Sequence, residues 1–389
     1  RIMPPQPWWE HLESSFHKFP DDFELDLRTE MTVDATALGD LLLRTTGASM
    51  LNTLALPSSF KPMQLKRDAG NRAFYQRKAN KADPAAFFKR PNSSKVQMKS
   101  SNAGLLRFRP DDGSCRLLSF DSPFKTVNPK LREEYPKLKR NMRAVAQHWR
   151  HNDGPRPTIA VIHGFMADPY WVNRMFFALP WFYQQGYDIL LYTLPHHGKR
   201  ASRSSPFSGH GFFANGTAHI NESFAHAVHD FRIFMDYLES EGVSKVGVTG
   251  ISLGGYTSAL LASVEDRLEF AIPNVPVVSL ADLVLEWFPL NLSIKAMLKI
   301  TGTSVRDIRH ELAVHSALTY QPLLPKERLM VIAGAGDRLA PPKHARLLWD
   351  HWDRPRIHWF PGNHLVHLDK GKYLKEMAGF MRKIEFDRM

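Results

Sequence analysis

Cysteine and long apolar runs are nearly missing from this sequence. Cys115 is the only cysteine among 389 residues, which excludes an internal disulfide framework and any zinc site built from cysteines. No stretch reaches the roughly 18 consecutive apolar residues of a membrane-spanning helix, and no signal-peptide pattern starts at Arg1. We therefore expect a globular protein in the cytoplasm, and the charge distribution leaves peripheral membrane association open as an alternative.

Positive charge is concentrated toward the N-terminus. The net charge is +12, and residues 1–150 contain 26 Lys and Arg against 16 Asp and Glu. Thirteen basic residues fall within 61–109, where Asp68 and Asp83 are the only acids. Three interpretations of this basic block are open: it binds an anionic surface such as a membrane, it is a solvated and partly flexible segment, or it wraps the rest of the protein with its charges facing water. It lacks zinc-finger, K-homology and RNA-recognition signatures, which argues against nucleic acid as a partner. The wrapped arrangement would bury four aromatic residues of the block: Phe74, Tyr75, Phe87 and Phe88.

The second half of the chain alternates apolar strand patterns with helix patterns. Such alternation predicts an α/β fold with a mostly parallel central sheet and helices on both faces. We expect one large domain over residues 104–389 and an N-terminal extension over residues 1–103 with a short helix at Ala35–Arg44. A hairpin of Leu105–Phe108 with Arg116–Phe120 should lead the sheet, and a helix should follow over Pro129–Arg150. Further strands are predicted to begin at Thr158, Asp188, Val246, Phe270, Arg328 and Pro355, and the clearest helix is predicted at Ile220–Ser240.

A serine flanked by glycines follows one of these strands. The pattern Val246–Ile251 runs into Gly250-Ile251-Ser252-Leu253-Gly254 and then into a helix-forming sequence. This is the arrangement of a nucleophile elbow, in which strained backbone geometry points the serine hydroxyl away from the sheet. The alternative is a glycine-rich turn with an incidental serine, because so short a pattern recurs by chance. Ser252 is therefore a candidate nucleophile whose role depends on partner residues elsewhere.

Two such partners occur downstream. Asp337 lies in the loop after the predicted strand 328–333, and His364 ends the Pro361-Gly362-Asn363 turn after the strand 355–360. A carboxylate that orients an imidazole, which deprotonates a serine, is the triad of nucleophilic acyl transfer. The chain order of nucleophile, acid and base is that of the α/β-hydrolases. We predict that Ser252, Asp337 and His364 are catalytic.

A fourth motif completes a resemblance to a known family. The strand at Thr158 ends in His163-Gly164-Phe165, so the backbone amides of Phe165 and Leu253 are candidates to hold a developing oxyanion. On these four motifs the chain resembles the α/β-hydrolase superfamily over about residues 155–389. The resemblance implies a serine hydrolase that needs no cofactor. Hydrolysis of a carboxylic ester through an acyl-enzyme is the reaction that we expect.

The substrate pocket is predicted less sharply. Residues 279–320 are helical in pattern and rich in leucine, at a position that often carries a lid in this superfamily. An apolar lid favours a small-molecule or lipid-like ester with an apolar acyl group, whereas the plainer interpretation is an ordinary crossover helix. No metal is predicted, because the histidine pair after the Asp188 strand has no Asp, Glu or Cys nearby. Five residues are candidates for the pocket wall: His163, Met166, His196, His197 and Trp287.

Other functions stay open at this point. An acyltransferase or a peptidase would use the same triad, since the triad fixes the nucleophile but neither the acceptor nor the leaving group. A non-catalytic scaffold would keep the fold and use the basic extension as its working surface, although retention of all three triad residue types argues against it. The sequence does not define the oligomeric state.

Overall fold

The structure, a computed structural model, describes residues 6–19, 40–55, 57, 61–104, 107–364 and 371–388. Within these residues nine strands form one sheet in the order β1-β2-β3-β5-β4-β6-β7-β8-β9. The strands are β1 (Lys99–Asn102), β2 (Gly113–Asp121), β3 (Arg143–His151), β4 (Thr158–Ile162), β5 (Asp188–Tyr192), β6 (Val246–Ile251), β7 (Leu268–Asn274), β8 (Met330–Gly334) and β9 (Arg356–Phe360).

The sheet is antiparallel at one edge and parallel elsewhere. β1, β2, β3 and β5 pair antiparallel, whereas β5, β4, β6, β7, β8 and β9 run parallel. Side chains along β4 alternate between two apolar clusters, with Ala160 and Ile162 in one and Ile159 and Val161 in the other. Because successive side chains of a strand point to opposite faces, the sheet is buried on both sides. The predicted α/β class with a mostly parallel central sheet is confirmed.

Helices cover both faces of the sheet. The carboxyl ends of the parallel strands meet at one edge, where the connecting loops carry the candidate site residues. No helix in the described ranges is long and apolar enough to cross a membrane. The helices are α1 (Trp8–His11), α2 (residues 40–50), α3 (Pro62–Ala79), α4 (Tyr170–Phe177), α5 (Leu179–Gln184), α6 (His210–Phe213), α7 (Thr217–Ser240), α8 (Leu253–Val264), α9 (Leu280–Glu286), α10 (Leu290–Thr301), α11 (Val305–Leu312), α12 (Pro342–His351) and α13 (Lys372–Lys383).

The start of the sheet differs from the sequence-based expectation. The helix predicted over Pro129–Arg150 is wrong: this segment contains two 3-10 turns and strand β3, whose residues Ala144–Trp149 are buried. The hairpin partner of β2 is also different, because β2 pairs with β1 and β3. Leu105 and Leu106 lie outside the described residues. All four residues of β1 are exposed and polar, so this edge strand has no apolar alternation that would identify it.

The basic block forms helix α3 and packs against the body. Tyr75 is fully buried and its hydroxyl donates to Glu222 of α7 at 2.9 Å. Phe87 and Phe88 are buried as well, and Phe74 is half-buried. Four of the cations are paired with acids of the body: Arg67 with Glu134, Arg72 with Glu311, Arg90 with Asp266 and Lys99 with Asp121. The described part of the block is therefore wrapped onto the protein, and its affinity for an anionic surface stays a prediction.

The predicted helical segment 279–320 contains helices α9, α10 and α11. A buried ion pair joins its first and last helices, since Arg309 Nη2 lies 2.5 Å from Asp282 Oδ1. The same guanidinium donates to the backbone oxygens of Leu12 and Glu13 in the N-terminal segment, both at 2.7 Å. The three helices are thus fixed to each other and to the extension.

Candidate active site

Ser252 occupies a strained turn between β6 and α8. Its backbone has φ 57° and ψ −111°, outside the ordinary regions for a residue with a side chain. The turn needs glycine beside it, because a Cβ on Gly254 would lie 2.0 Å from the backbone oxygen of Ile162. A Cβ on Gly250 would lie 2.4 Å from the backbone oxygen of Gly254. The strand, strained serine and helix therefore have the form of a nucleophile elbow.

Asp337 and His364 meet at the ends of β8 and β9. The two residues are buried, and His364 Nδ1 lies 2.6 Å from Asp337 Oδ2. The other carboxylate oxygen of Asp337 accepts the backbone amides of Leu339 at 2.9 Å and Ala340 at 2.7 Å. These bonds fix the carboxylate, which in turn fixes the imidazole so that Nε2 is the nitrogen left for chemistry.

The pKa of His364 reflects its acidic neighbours. Burial alone would lower this pKa, but the charge of Asp337, its hydrogen bond and the charge of Asp40 outweigh burial and raise it above the ordinary value. An environment that favours the imidazolium suits a group that must accept a proton during the reaction.

One of the two hydrogen bonds of a triad, between the serine and the histidine, is not formed in the structure. No hydrogen bond joins the Ser252 hydroxyl to His364, although both residues are described. Hydrogen bonds of this kind are often long before substrate binds, so the open contact is compatible with catalysis. A second histidine, His367, lies three residues further along; we predict His364 rather than His367 as the base because His364 directly follows the turn, and His367 lies outside the described residues.

Two backbone amides lie beside Ser252. Leu253 is the first residue of α8, where helical N–H groups have no partner within the helix. The loop that carries Phe165 is close, because a Cβ on Gly164 would lie 3.5 Å from the Cβ of Ser252. Neither amide donates a hydrogen bond to any residue that the structure describes. They are available to an oxyanion that forms on a carbonyl attacked by Ser252.

An apolar cavity of about 180 Å³ lies against Ser252. Helices α9, α10 and α11 provide most of its wall, and Phe165, Leu253 and Leu339 complete the end near the candidate nucleophile. No charged side chain lines it within the described parts of the chain. Four lining residues carry polar side-chain atoms, and those of all but Ser252 are hydrogen-bonded to other protein groups: Thr217 to Glu311 (2.6 Å), Tyr256 to His315 (2.7 Å) and Trp287 to Leu339 (3.1 Å).

Of the five residues predicted for the pocket wall, Trp287 lines this cavity and the other four do not. His163 is buried beneath the loop, where its Nε2 accepts the Leu194 amide at 2.9 Å. That bond makes His163 a support for the loop of Phe165 rather than a wall residue. Met166 is half-exposed, has a backbone φ of 61°, and is not part of the cavity wall.

The two histidines after β5 are also internal. His196 donates its backbone N–H to Asn141 at 2.7 Å, and its Nε2 lies 3.2 Å from His219 Nε2. His197 is fully buried, with Nδ1 2.8 Å from the backbone oxygen of Pro195. Burial lowers the pKa of both imidazoles well below the ordinary value. Neither imidazole lines the cavity, although Phe213, further along the same connection, does. Across the described ranges, no three His, Cys, Asp or Glu side chains are placed to hold a metal ion.

One residue at the site has no signal in the sequence. Asp40 of α2 is fully buried, and its Oδ2 accepts the backbone amides of Arg338 at 3.0 Å and His364 at 2.8 Å. These two residues lie about 300 positions away along the chain, and an acid in a leucine-rich helix carries no motif of its own. The predicted helix Ala35–Arg44 is described only from residue 40, and it continues to residue 50.

Comparison with known proteins agrees with this architecture. The family model described as Alpha/beta hydrolase domain containing 18 matches residues 111–287, which include Ser252 but end before Asp337 and His364. The uncharacterized protein Rv2627c of Mycobacterium tuberculosis (strain ATCC 25618 / H37Rv) is 33% identical over 232 residues. That similarity covers 58% of this chain and 53% of the mycobacterial protein, so the chain spans about half the length of the curated relatives that it matches.

Two solved structures share the fold at low sequence identity. Acetyl xylan esterase 1 from Thermoanaerobacterium sp. JW/SL YS485 has a TM-score of 0.55 and 15% identity over 81% of this chain and 93% of that chain. The acetyl xylan esterase from Paenibacillus sp. R4 has a TM-score of 0.52 and 14% identity over 84% of this chain and 99% of that chain. The chain has the fold of the α/β-hydrolases, and its residues 111–287 match that family model. These relationships support a hydrolase and leave the substrate class undefined.

Proposed function

We propose that this protein is a serine hydrolase that cleaves carboxylic esters with an apolar or lipid-like acyl group. The observation that carries the proposal is the cavity beside Ser252. Four side chains of its wall carry polar atoms, and the Ser252 hydroxyl is the one of these four that has no hydrogen-bond partner among the described residues. An apolar acyl chain would fill such a cavity with its carbonyl carbon at the serine.

The proposed reaction has two steps. In the first, Ser252 Oγ attacks the ester carbonyl while His364 Nε2 accepts the hydroxyl proton. Asp337, bonded to Nδ1, holds the imidazole in orientation and stabilises its cationic form. His364 then returns the proton to the leaving alkoxide, and the acyl group remains on Ser252. In the second step, water attacks the acyl-enzyme with His364 as base, which releases the acid and restores the serine.

The amides of Phe165 and Leu253 are proposed to stabilise both tetrahedral intermediates. They have no acceptor in the described part of the chain, so an oxyanion would not have to displace an existing protein hydrogen bond. Loss of one such donor in other enzymes costs on the order of 10²–10³ in kcat.

Hydrolysis of p-nitrophenyl esters by matched serine variants tests the proposal. Ser252→Ala should abolish turnover and keep the unfolding midpoint, because the hydroxyl makes no hydrogen bond that folding needs. Ser258→Ala is the control: Ser258 is a buried serine two turns along α8, and its hydroxyl donates to Gly254 at 2.7 Å within the helix. Full activity of Ser252→Ala, or loss of activity in Ser258→Ala alone, would refute the proposed nucleophile.

The same assay addresses the acyl group. The two solved relatives are named as acetyl xylan esterases, and acetyl is the shortest acyl group in the ester series. The apolar cavity leads us to expect that kcat/KM rises from the acetyl to the octanoyl ester. A maximum at the acetyl ester would remove the lipid-like substrate class and leave the esterase activity in place.

A further inference from the structure

We infer that Asp40, a residue of the N-terminal extension, is a positioning residue for the triad of the proposed hydrolase. It ties the loop of the acid to the loop of the base and supplies a second negative charge behind the imidazole. The inference rests on the proposed function for its catalytic meaning, but the contacts themselves belong to the structure.

A single oxygen of Asp40 binds both loops. Its Oδ2 accepts the amide of Arg338, the residue after Asp337, and the amide of His364 itself. Together with the direct bond between His364 and Asp337, this closes a ring of hydrogen bonds in which neither loop can shift without breaking a buried contact. Buried hydrogen bonds to a charged group are worth more than neutral ones, so the ring resists displacement.

Helix α2 makes a second contact with the loop that carries Asp337. Arg44, one turn after Asp40, donates from Nη1 to the backbone oxygen of Arg338 at 3.0 Å. Both backbone groups of Arg338 are therefore held by α2. Because two residues one helical turn apart bind the N–H and the C=O of a single residue, α2 is fixed in register against the loop of Asp337.

Holding the two loops together does not by itself require that Asp40 be charged. Asp40 is fully buried beside the like charge of Asp337, and its Oδ1 has no hydrogen-bond partner among the residues that the structure describes. A neutral amide would accept the same two N–H groups with a smaller desolvation cost. A buried carboxylate at this place does have one use, since it stabilises the imidazolium that forms when His364 takes the serine proton.

The titratable and charged groups around this contact define what a pH experiment would see. Asp337 and His364 act on Asp40 directly, Arg44 is its cationic neighbour, and the charges of Glu286 and Arg338 act in turn on Arg44. Burial, followed by the charge of Asp337, raises the pKa of Asp40 to about 6, against the opposing effect of its two amide bonds. Removal of the Asp40 charge should lower the pKa of His364, because one of the groups that raise it is lost.

Three variants of helix α2 test the inference. Asp40→Asn keeps an acceptor oxygen and removes the charge, Asp40→Ala removes both, and Thr46→Ala is the matched control. Thr46 is exposed on the same helix and its hydroxyl bonds only the Leu42 backbone oxygen at 2.8 Å. We expect Asp40→Ala to lower kcat on the order of 10²-fold with little change in KM, because the misplaced base affects the chemical step more than binding.

Asp40→Asn should keep most of the kcat that Asp40→Ala loses. The acidic limb of its pH profile should lie at lower pH than in the wild type, because His364 loses its proton more easily without the Asp40 charge. Thr46→Ala should match the wild type in both respects. Unfolding midpoints measured in parallel distinguish a variant that has lost its fold from a folded variant in which His364 is displaced. Wild-type kcat and an unshifted limb in both Asp40 variants would overturn the inference, and so would equal losses of kcat in both variants with no shift of the limb.

A direct titration separates this inference from the proposed function. The histidine side-chain nitrogens can be followed by ¹⁵N NMR in the wild type and in Asp40→Asn, without any substrate. We expect a lower His364 pKa in the variant. An unchanged pKa would overturn the electrostatic role of Asp40 even in an active enzyme, whereas a wild type that hydrolyses no ester but shows the shift would overturn only the proposed function.

Discussion

Two leucines on one helix provide a matched test of the acyl site. Leu298 and Leu292 both belong to α10, six residues apart, but Leu298 lines the cavity beside Ser252 and Leu292 is 56% exposed and does not. The perturbation is the same in each case, leucine to alanine. Any effect of the change on helix propensity is therefore shared, and a difference between the variants reports on the cavity.

The expected magnitude follows from the area that a bound acyl chain would cover. Leu→Ala removes three carbon atoms, and each buried methylene contributes about 0.8 kcal/mol. Leu298 is half-buried before any substrate binds, so the acyl chain would cover only part of its side chain. We expect a loss of about 1–2 kcal/mol for the octanoyl ester, which is roughly a 5- to 30-fold fall in kcat/KM.

The assay compares kcat/KM for p-nitrophenyl octanoate and p-nitrophenyl acetate in the wild type and both variants. Leu298→Ala should lower the octanoate value and leave the acetate value unchanged, because a two-carbon acyl group stays beside Ser252. Leu292→Ala should change neither. An unchanged octanoate-to-acetate ratio in Leu298→Ala, with the protein folded, would refute the reasoning that this cavity binds the acyl chain.

Three further predictions concern Asp337, the helical segment 279–320 and the N-terminal extension. Asp337→Asn should lower kcat on the order of 10³–10⁴-fold. It should also move the acidic limb of the pH profile to lower pH, because the charge of Asp337 contributes most to raising the His364 pKa. Arg309→Ala should destabilise the protein by about 3–5 kcal/mol in urea unfolding, because Asp282 would remain buried without its cation. A truncation to residues 104–389 should be insoluble on expression, because it exposes the surface that Tyr75, Phe87 and Phe88 cover.

Each of these has a contrary outcome. A pH limb that does not move in Asp337→Asn would separate Asp337 from the titration of His364. Arg306→Ala, on the exposed side of the same helix as Arg309, is the control for stability, and equal destabilisation of both variants would contradict the role of the buried pair. If the truncation is soluble, its co-sedimentation with anionic vesicles should be compared with that of the whole chain. Binding by the whole chain alone, weaker at high salt, would support the anionic surface predicted for residues 61–109.

The parallel part of the sheet could be predicted because its signals are local. Each of β4, β5, β6, β8 and β9 is a short apolar run that ends at a glycine, proline or polar loop, and the structure has strands at all five positions. The elbow could be located for the same reason, since its glycines are required by contacts within a few residues and with the next strand. The roles of Ser252, Asp337 and His364 stay predictions that the geometry supports in part.

The remainder depends on contacts that no local pattern records. β3 lies between β2 and β5, with both faces covered, so its sequence has neither the period of a strand nor that of a helix. His196 and His197 follow a strand end, where a site residue is expected, but the loop turns them into a buried polar cluster. Asp40 reaches the site from the other end of the chain, and its importance depends on the position of two amides rather than on its own sequence context.

Active-site labelling tests the central claim most directly. The folded 389-residue chain would be treated with a fluorophosphonate, which reacts with activated serines. The modified peptide would be identified by mass spectrometry, and loss of p-nitrophenyl ester hydrolysis would be measured in parallel. We predict one label per chain, on Ser252, and activity that falls in proportion to labelling. In His364→Ala the label should be lost. Labelling at any other serine that removes activity, or full activity with Ser252 completely modified, would contradict it.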